Sequence, residues 1–152
     1  MTSIKSRIAK MKTRQAAELR RSLKRPGTRA EKLASVPSEA ISYDDLRARD
    51  GDACQLCGGA IDFDAPYRLA DGTVNRQYRT LDHVWPIELG GWDVLGNAQA
   101  VHYACNSAKA DRVNEDDLDA WTEFLTARRV PFSINALGHP VVEAVSLKGF
   151  MQ

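Results

Sequence analysis

Three cysteines and one histidine constrain this chain more than any other feature. Cys54-Gln55-Leu56-Cys57 and His102-Tyr103-Ala104-Cys105 form two half-sites, C-x-x-C and H-x-x-C, separated by 44 residues. Three cysteines cannot all pair within one chain, so a disulfide framework leaves one over. Two thiolates two residues apart can converge on one ion, and the trailing Gly58-Gly59 permits the tight turn. A Cys₃His set is a common tetrahedral arrangement for structural Zn²⁺. Read this way, one ion uses all three cysteines and ties residue 54 to residue 102. A redox dithiol shares the C-x-x-C spacing, but no thioredoxin-like strand and helix surround it. Two ordinary buried cysteines would leave the downstream half-site unexplained. A chain of 152 residues builds one ordinary domain with a modest core. Zinc sites supply about 10–16 kcal/mol in small peptides, comparable with the whole stability of a domain.

Charge is distributed unevenly. The net charge is +1, yet residues 1 to 32 hold eleven Lys and Arg against two Glu, and the remainder holds ten basic and eighteen acidic residues. A basic arm on an acidic body points to a polyanionic partner. With 43% hydrophobic residues the chain belongs with globular proteins rather than disordered ones. No apolar run is long enough to cross a bilayer. No apolar core follows the basic N-terminus, so a secretory signal is not expected, and the expected location is the cytoplasm, without membrane association.

The pattern divides the chain into a basic N-terminal arm and linker (1–40), a central domain with its packing helix (41–130) and a C-terminal extension (131–152). Met1 to Arg25 reads as a basic helix capped by Ser3, and Pro26 to Ala40 as a linker without apolar period. Ser42 caps a short helix from Tyr43 to about Arg49, ended by Gly51. Asp71-Gly72 predicts a hairpin with a two-residue turn. Arg68, Arg76 and Arg79 beside it are either phosphate contacts or solvent-facing strand residues. Thr80 to Trp85 reads as a strand stopped by Pro86, Ile87 to Gly96 as a loop, Asn97 to Val101 as the returning strand, and His102 to about Asp111 as a helix. Asn114 caps a second helix, Glu115 to Arg129, with an acidic first turn and a basic last turn. Leu118, Trp121 and Leu125 give it a core-packing face. His139 reads as a surface loop residue. The class is α+β.

The chemistry concentrates between Thr80 and Arg112. Asp82 and His83 end a strand, so their side chains leave on opposite faces, although the following loop can return both to one site. A neutral histidine is a good general base near pH 7. Taken alone, His83 reads instead as a hydrogen-bonded core histidine. An Asp oxygen and an Asn amide oxygen are hard ligands suited to Mg²⁺ or Mn²⁺. Lys109 lies one helical turn beyond Asn106 and faces the same side, where its ammonium could neutralise a phosphate.

As a set, Cys54/Cys57, Asp82-His83-Val84-Trp85-Pro86, Gly90-Gly91, Asn97 and His102-x-x-Cys105-Asn106-x-x-Lys109 resemble the HNH endonuclease family of ββα-metal fold. Thirteen residues separate His83 from Asn97 and eight separate Asn97 from Asn106, as in that family. The resemblance spans Cys54 to Arg112. It implies a small ββα-metal core with a structural zinc knuckle, extra flanking helices and a basic N-terminal helix or arm. It implies metal-dependent endonuclease action on DNA, most simply duplex DNA, with His83 as general base. Asp82 and Asn106 would then hold one catalytic Mg²⁺ or Mn²⁺, Asn97 would orient His83 through loop backbone, and Lys109 would contact phosphate. The third motif position is Asn106 where the family often has His, and His102 stands where a knuckle Cys is more usual. Small stand-alone members resemble phage and prophage proteins that assist genome packaging, so a packaging partner such as terminase is an expectation, as are restriction or homing roles. The sequence leaves monomer or homodimer open. Competing readings are a non-catalytic zinc-knuckle DNA-binding module and an adaptor that docks through the Trp121 helix.

Overall fold

The computed structural model describes residues 14–19, 21–143 and 147–150. Most of the basic arm expected over 1–25 lies outside the described residues; residues 14–19 and 21–22 are helical. The fold is mixed α+β, with two small antiparallel sheets. No helix of the described residues is long and apolar enough to cross a membrane.

The chain is built around one hairpin. Strand β1 (Arg79–His83) pairs antiparallel with β2 (Ala98–His102), from Arg79 opposite His102 to His83 opposite Ala98. The Val84 amide adds one more bond to the Asn97 carbonyl, 2.9 Å. Pro86 has no N–H to continue the ladder, and the chain turns into a 3-10 helix, Ile87–Leu89. β1 thus stops at His83, two residues short of the expected Trp85. β2 runs directly into a helix, Tyr103–Lys109, so strand, loop, strand and helix follow in the expected order.

Two apolar clusters flank this unit. The first joins Trp85, Ile87, Trp92 and Val94 of the inter-strand loop to Trp121, Phe124 and Leu125. The latter three lie on the helix Glu115–Ala127, where Asn114 and Asp117 form a capping box. Trp85 and Trp121 stack in parallel planes, and Trp92 meets Trp121 edge-on. Trp121 is buried. The second cluster joins Leu46, Cys54 and Ile61 to Ala98, Ala100 and Val101. Leu46 is fully buried on the helix Tyr43–Asp50, which Ser42 caps and Gly51 ends.

Four expectations change. The stretch read as a linker contains a helix, Arg29–Ala34, started by a Thr28–Glu31 capping box, and it packs rather than spans. Lys32 forms an ion pair with Glu88, and Val36 enters the first cluster. The hairpin at Asp71-Gly72 has a three-residue turn and a single bridge, Arg68 to Val74. The Gly72 amide closes on the Leu69 carbonyl, and Gly72 takes φ +83°, the left-handed position such a turn reserves for glycine. The long helix ends at Ala127, so Arg128 is its C-cap rather than its last turn, with the guanidinium 3.8 Å from the Phe124 ring centre. His139 is half-buried, edge-on to Trp85 at 5.0 Å, beside the short sheet of Ser133–Ile134 and Pro140–Val141.

Strands β1 and β2 thus form the central hairpin, accompanied by helices α1 (Arg29–Ala34), α2 (Tyr43–Asp50), α3 (Tyr103–Lys109) and α4 (Glu115–Ala127).

Candidate functional site

The donor atoms of Cys54, Cys57, His102 and Cys105 all lie within 4.8 Å of one another. Among the described residues this is the one such group with metal-ligand chemistry. Zn–S bonds of about 2.3 Å and Zn–N bonds of about 2.0 Å put neighbouring donors of a tetrahedron roughly 3.5–3.8 Å apart. Cys57 Sγ lies 3.4 Å and Cys105 Sγ 3.9 Å from His102 Nδ1, so the set fits a zinc ion. The other ring nitrogen, Nε2, is 2.9 Å from the Ala60 carbonyl oxygen. A carbonyl only accepts, so Nε2 carries the proton and the Nδ1 lone pair faces the sulfurs.

The sequence builds this knuckle locally. The Cys54 amide bonds to the Gly59 carbonyl and the Gly58 amide to the Cys54 carbonyl, with Gly58 at φ +75°. The Gly59 amide points at Cys57 Sγ and the His102 amide at Cys54 Sγ, each at 3.4 Å. Burial works to raise the Cys54 thiol, but the amides of Cys57, His102 and Leu56 outweigh it and bring it down to about 7. Burial, together with the neighbouring thiols, pushes Cys105 up to about 11. Crowded sulfurs that resist sharing negative charge are relieved by a divalent cation at their centre.

Across the hairpin, His83 and Asn106 line one open groove of about 610 Å³, together with Lys24, Arg29 and Glu88. Lys24 is ion-paired with Asp111, and Arg29 is exposed. The loop after His83 is fixed by Asn97, which is buried at 2% exposure. Its Oδ1 accepts from the Trp85 amide at 2.8 Å, and its Nδ2 donates to the carbonyls of Trp85 and Trp92, both at 2.9 Å. Gly90 and Gly91 have different reasons to be glycine. Gly90 takes φ +92°, whereas a Cβ on Gly91 would lie 1.8 Å from the Trp85 carbonyl oxygen.

The structure separates the other candidates from the groove. Asp82 is buried, and its Oδ2 accepts from Lys109 Nζ at 2.7 Å and from Gln99 Nε2 at 2.8 Å. Lys109 also donates to the carbonyls of His83, 2.8 Å, and Val84, 3.2 Å. An ammonium has three donors, and Lys109 directs them at these three oxygens. Asn106 Nδ2 lies 3.4 Å from Thr80 Oγ1 and from the Leu81 carbonyl oxygen, bonds in which its amide oxygen takes no part. Arg68 and Arg79 are likewise engaged, with the Gly72 and Phe63 carbonyls respectively.

Asp93 is the site residue that the motif reading missed. Its Oδ1 lies 2.9 Å from His83 Nε2. It belongs to no motif, and no spacing rule announces it. Compared with known proteins, the chain matches no protein-family model, no curated protein and no solved structure.

Proposed function

We propose that this protein hydrolyses phosphodiester bonds of DNA as an HNH-type endonuclease, with His83 as general base. The observation that carries the reading is the placement of His83 at the end of β1, in a groove shared with Asn106 of α3. His83 would take a proton from the attacking water. Asn97 would act at a distance, by holding the loop that follows His83. Lys24 and Arg29 line the same groove beside Glu88 and Asp111, so a phosphate backbone lying there would meet Arg29 and would compete with Asp111 for Lys24.

The resemblance also implies a catalytic Mg²⁺ or Mn²⁺ on Asp82 and Asn106. As the residues stand, they do not fit it. The Asp82 carboxylate is committed to Lys109 and Gln99 and does not line the groove, so it is not open to a hard cation there. The same pair favours a second reading, a zinc-knuckle DNA-binding module without turnover.

Nicking of supercoiled plasmid with Mg²⁺, Mn²⁺ or EDTA, wild type beside His83→Ala, separates the two. The nuclease reading expects open circles from wild type and a loss of about 10²–10⁴-fold in His83→Ala, with zinc content and DNA binding retained. Zinc-loaded wild type that binds DNA and fails to cut it with Mg²⁺ or Mn²⁺ supports the binding module.

A further inference from the structure

We propose that Asp93 is a positioning residue that fixes His83 as the Nε2–H tautomer and leaves Nδ1 as its basic nitrogen. The inference rests on the reading of His83 as general base. A carboxylate accepts hydrogen bonds and does not donate, so the ring nitrogen that faces it at 2.9 Å carries the proton. Nδ1 takes part in no hydrogen bond among the described residues, and His83 lines the groove. In the step that the nuclease reading requires, water gives one proton to Nδ1 and its oxygen forms a bond to phosphorus, while the bond from phosphorus to the leaving sugar oxygen breaks and that oxygen takes a proton from solvent. The ring becomes an imidazolium with one N–H still on Asp93, where the negative charge stabilises it.

Asp93 is itself held from several directions. Its amide donates to the Pro37 carbonyl at 3.0 Å, and its carbonyl accepts from the Glu39 amide at 2.9 Å. Ser38 Oγ donates to Oδ2 at 3.1 Å. Ser38 and Asp93 thus form a parallel bridge, and each carboxylate oxygen has its own partner. His83 is tightly enclosed, with its side chain 9% exposed against 28% for Asp93. The chain between α1 and α2 therefore has a part in the site. It seats the carboxylate that seats the histidine.

The test is ¹⁵N-resolved NMR of the His83 ring in zinc-loaded protein at a pH where the ring is neutral, beside plasmid-nicking kinetics. Wild type is expected to show Nε2–H. Asp93→Leu is expected to lose that preference and to drop kcat by about 10–100-fold with KM little changed, and Asp93→Glu to recover part of both. Asp93→Ala, which also removes the carboxylate that faces Nε2, is expected to show the same loss and serves if Asp93→Leu does not fold. An Nδ1–H ring in wild type overturns the proposal. So does an unchanged tautomer and kcat in folded Asp93→Leu, or in Asp93→Ala if the former does not fold. If wild type does not cut DNA at all, the nuclease reading fails, and the tautomer measurement still decides whether Asp93 sets the ring.

Discussion

The ammonium of Lys109 lies 2.7 Å from Asp82 Oδ2, with the two side chains only 8% and 6% exposed. The pair joins the end of α3 to the end of β1. Breaking a buried pair by removing one partner strands the other charge, a loss of about 3–5 kcal/mol. Lys109→Met is expected to lose about that much in urea unfolding, and Asp82→Leu/Lys109→Met to recover most of it. The single variant also opens the carboxylate. Mg²⁺ is expected to raise the Tm of Lys109→Met and not that of wild type. Equal Mg²⁺ effects on both would show that the pair does not exclude the cation.

Asn97 satisfies three backbone groups in the loop between the strands. Each group left unpaired in a buried place costs about 1–3 kcal/mol. Asn97→Ala is expected to lower stability by several kcal/mol and to raise amide exchange over residues 85–92. Gly91→Ala is expected to do the same by a different route, because its Cβ would collide with the Trp85 carbonyl oxygen. Normal exchange in either variant would mean that the loop is held by its tryptophans alone.

The elements with local signals were legible in the sequence. Ser42 and Asn114 are hydrogen-bonding side chains directly before helices, and both cap as expected. Trp121 and Leu125 share a face, and both are buried. The cysteine half-sites converge although 44 residues separate them, because the hairpin register returns His102 beside the knuckle. Helix α1 carries a local signal of its own, Thr28 followed by Glu31 three residues on, which outweighs the surrounding Pro, Gly and Ser. The partners of Asp82 and His83 were not legible. Spacing puts Lys109 near Asn106, but only packing decides that its ammonium turns to the strand. Asp93 reaches His83 only because Pro37 to Glu39 lie alongside it.

Zinc removal offers a spatially resolved test, because the three tryptophans Trp85, Trp92 and Trp121 all sit in the first cluster and the four ligands do not. The purified protein is expected to carry one zinc per chain. Chelation is expected to increase amide exchange at residues 54–59 and 98–102 before tryptophan emission shifts. Since the ligands bind as thiolates, zinc loss is expected to become easier as pH falls. Simultaneous loss of both signals would show that the clusters unfold as one unit.

Burial lowers the pKa of His139 below its ordinary value of 6.5. The folded ring therefore resists a proton that the unfolded ring accepts, and the unfolded state binds more protons near pH 6. This contribution is fully present above about pH 6.5 and is lost as pH falls through the depressed folded value. His139→Phe keeps an aromatic ring beside Trp85 and cannot titrate. It is expected to lose less stability between pH 7 and pH 5 than wild type does, measured by urea midpoints. Parallel curves would remove His139 from the acid response.

The basic segment can be tested by truncation, and the fold dictates where to cut. Removing residues 1–32 would delete part of α1 together with the Lys32–Glu88 ion pair, and would damage the body along with the arm. Removing residues 1–20 takes away six Lys and Arg and leaves Lys24 and Arg29 at the groove. Each phosphate contact that releases a counterion steepens the fall of log K with log salt by about 0.9 on duplex DNA. If the segment lies on DNA, the truncated protein binds more weakly at low salt, with a slope shallower by several such units. The groove charges remain, so residual salt-dependent binding and nicking are expected to persist. An unchanged slope would assign DNA contact to the body alone, with Lys24 and Arg29 as the first residues to substitute.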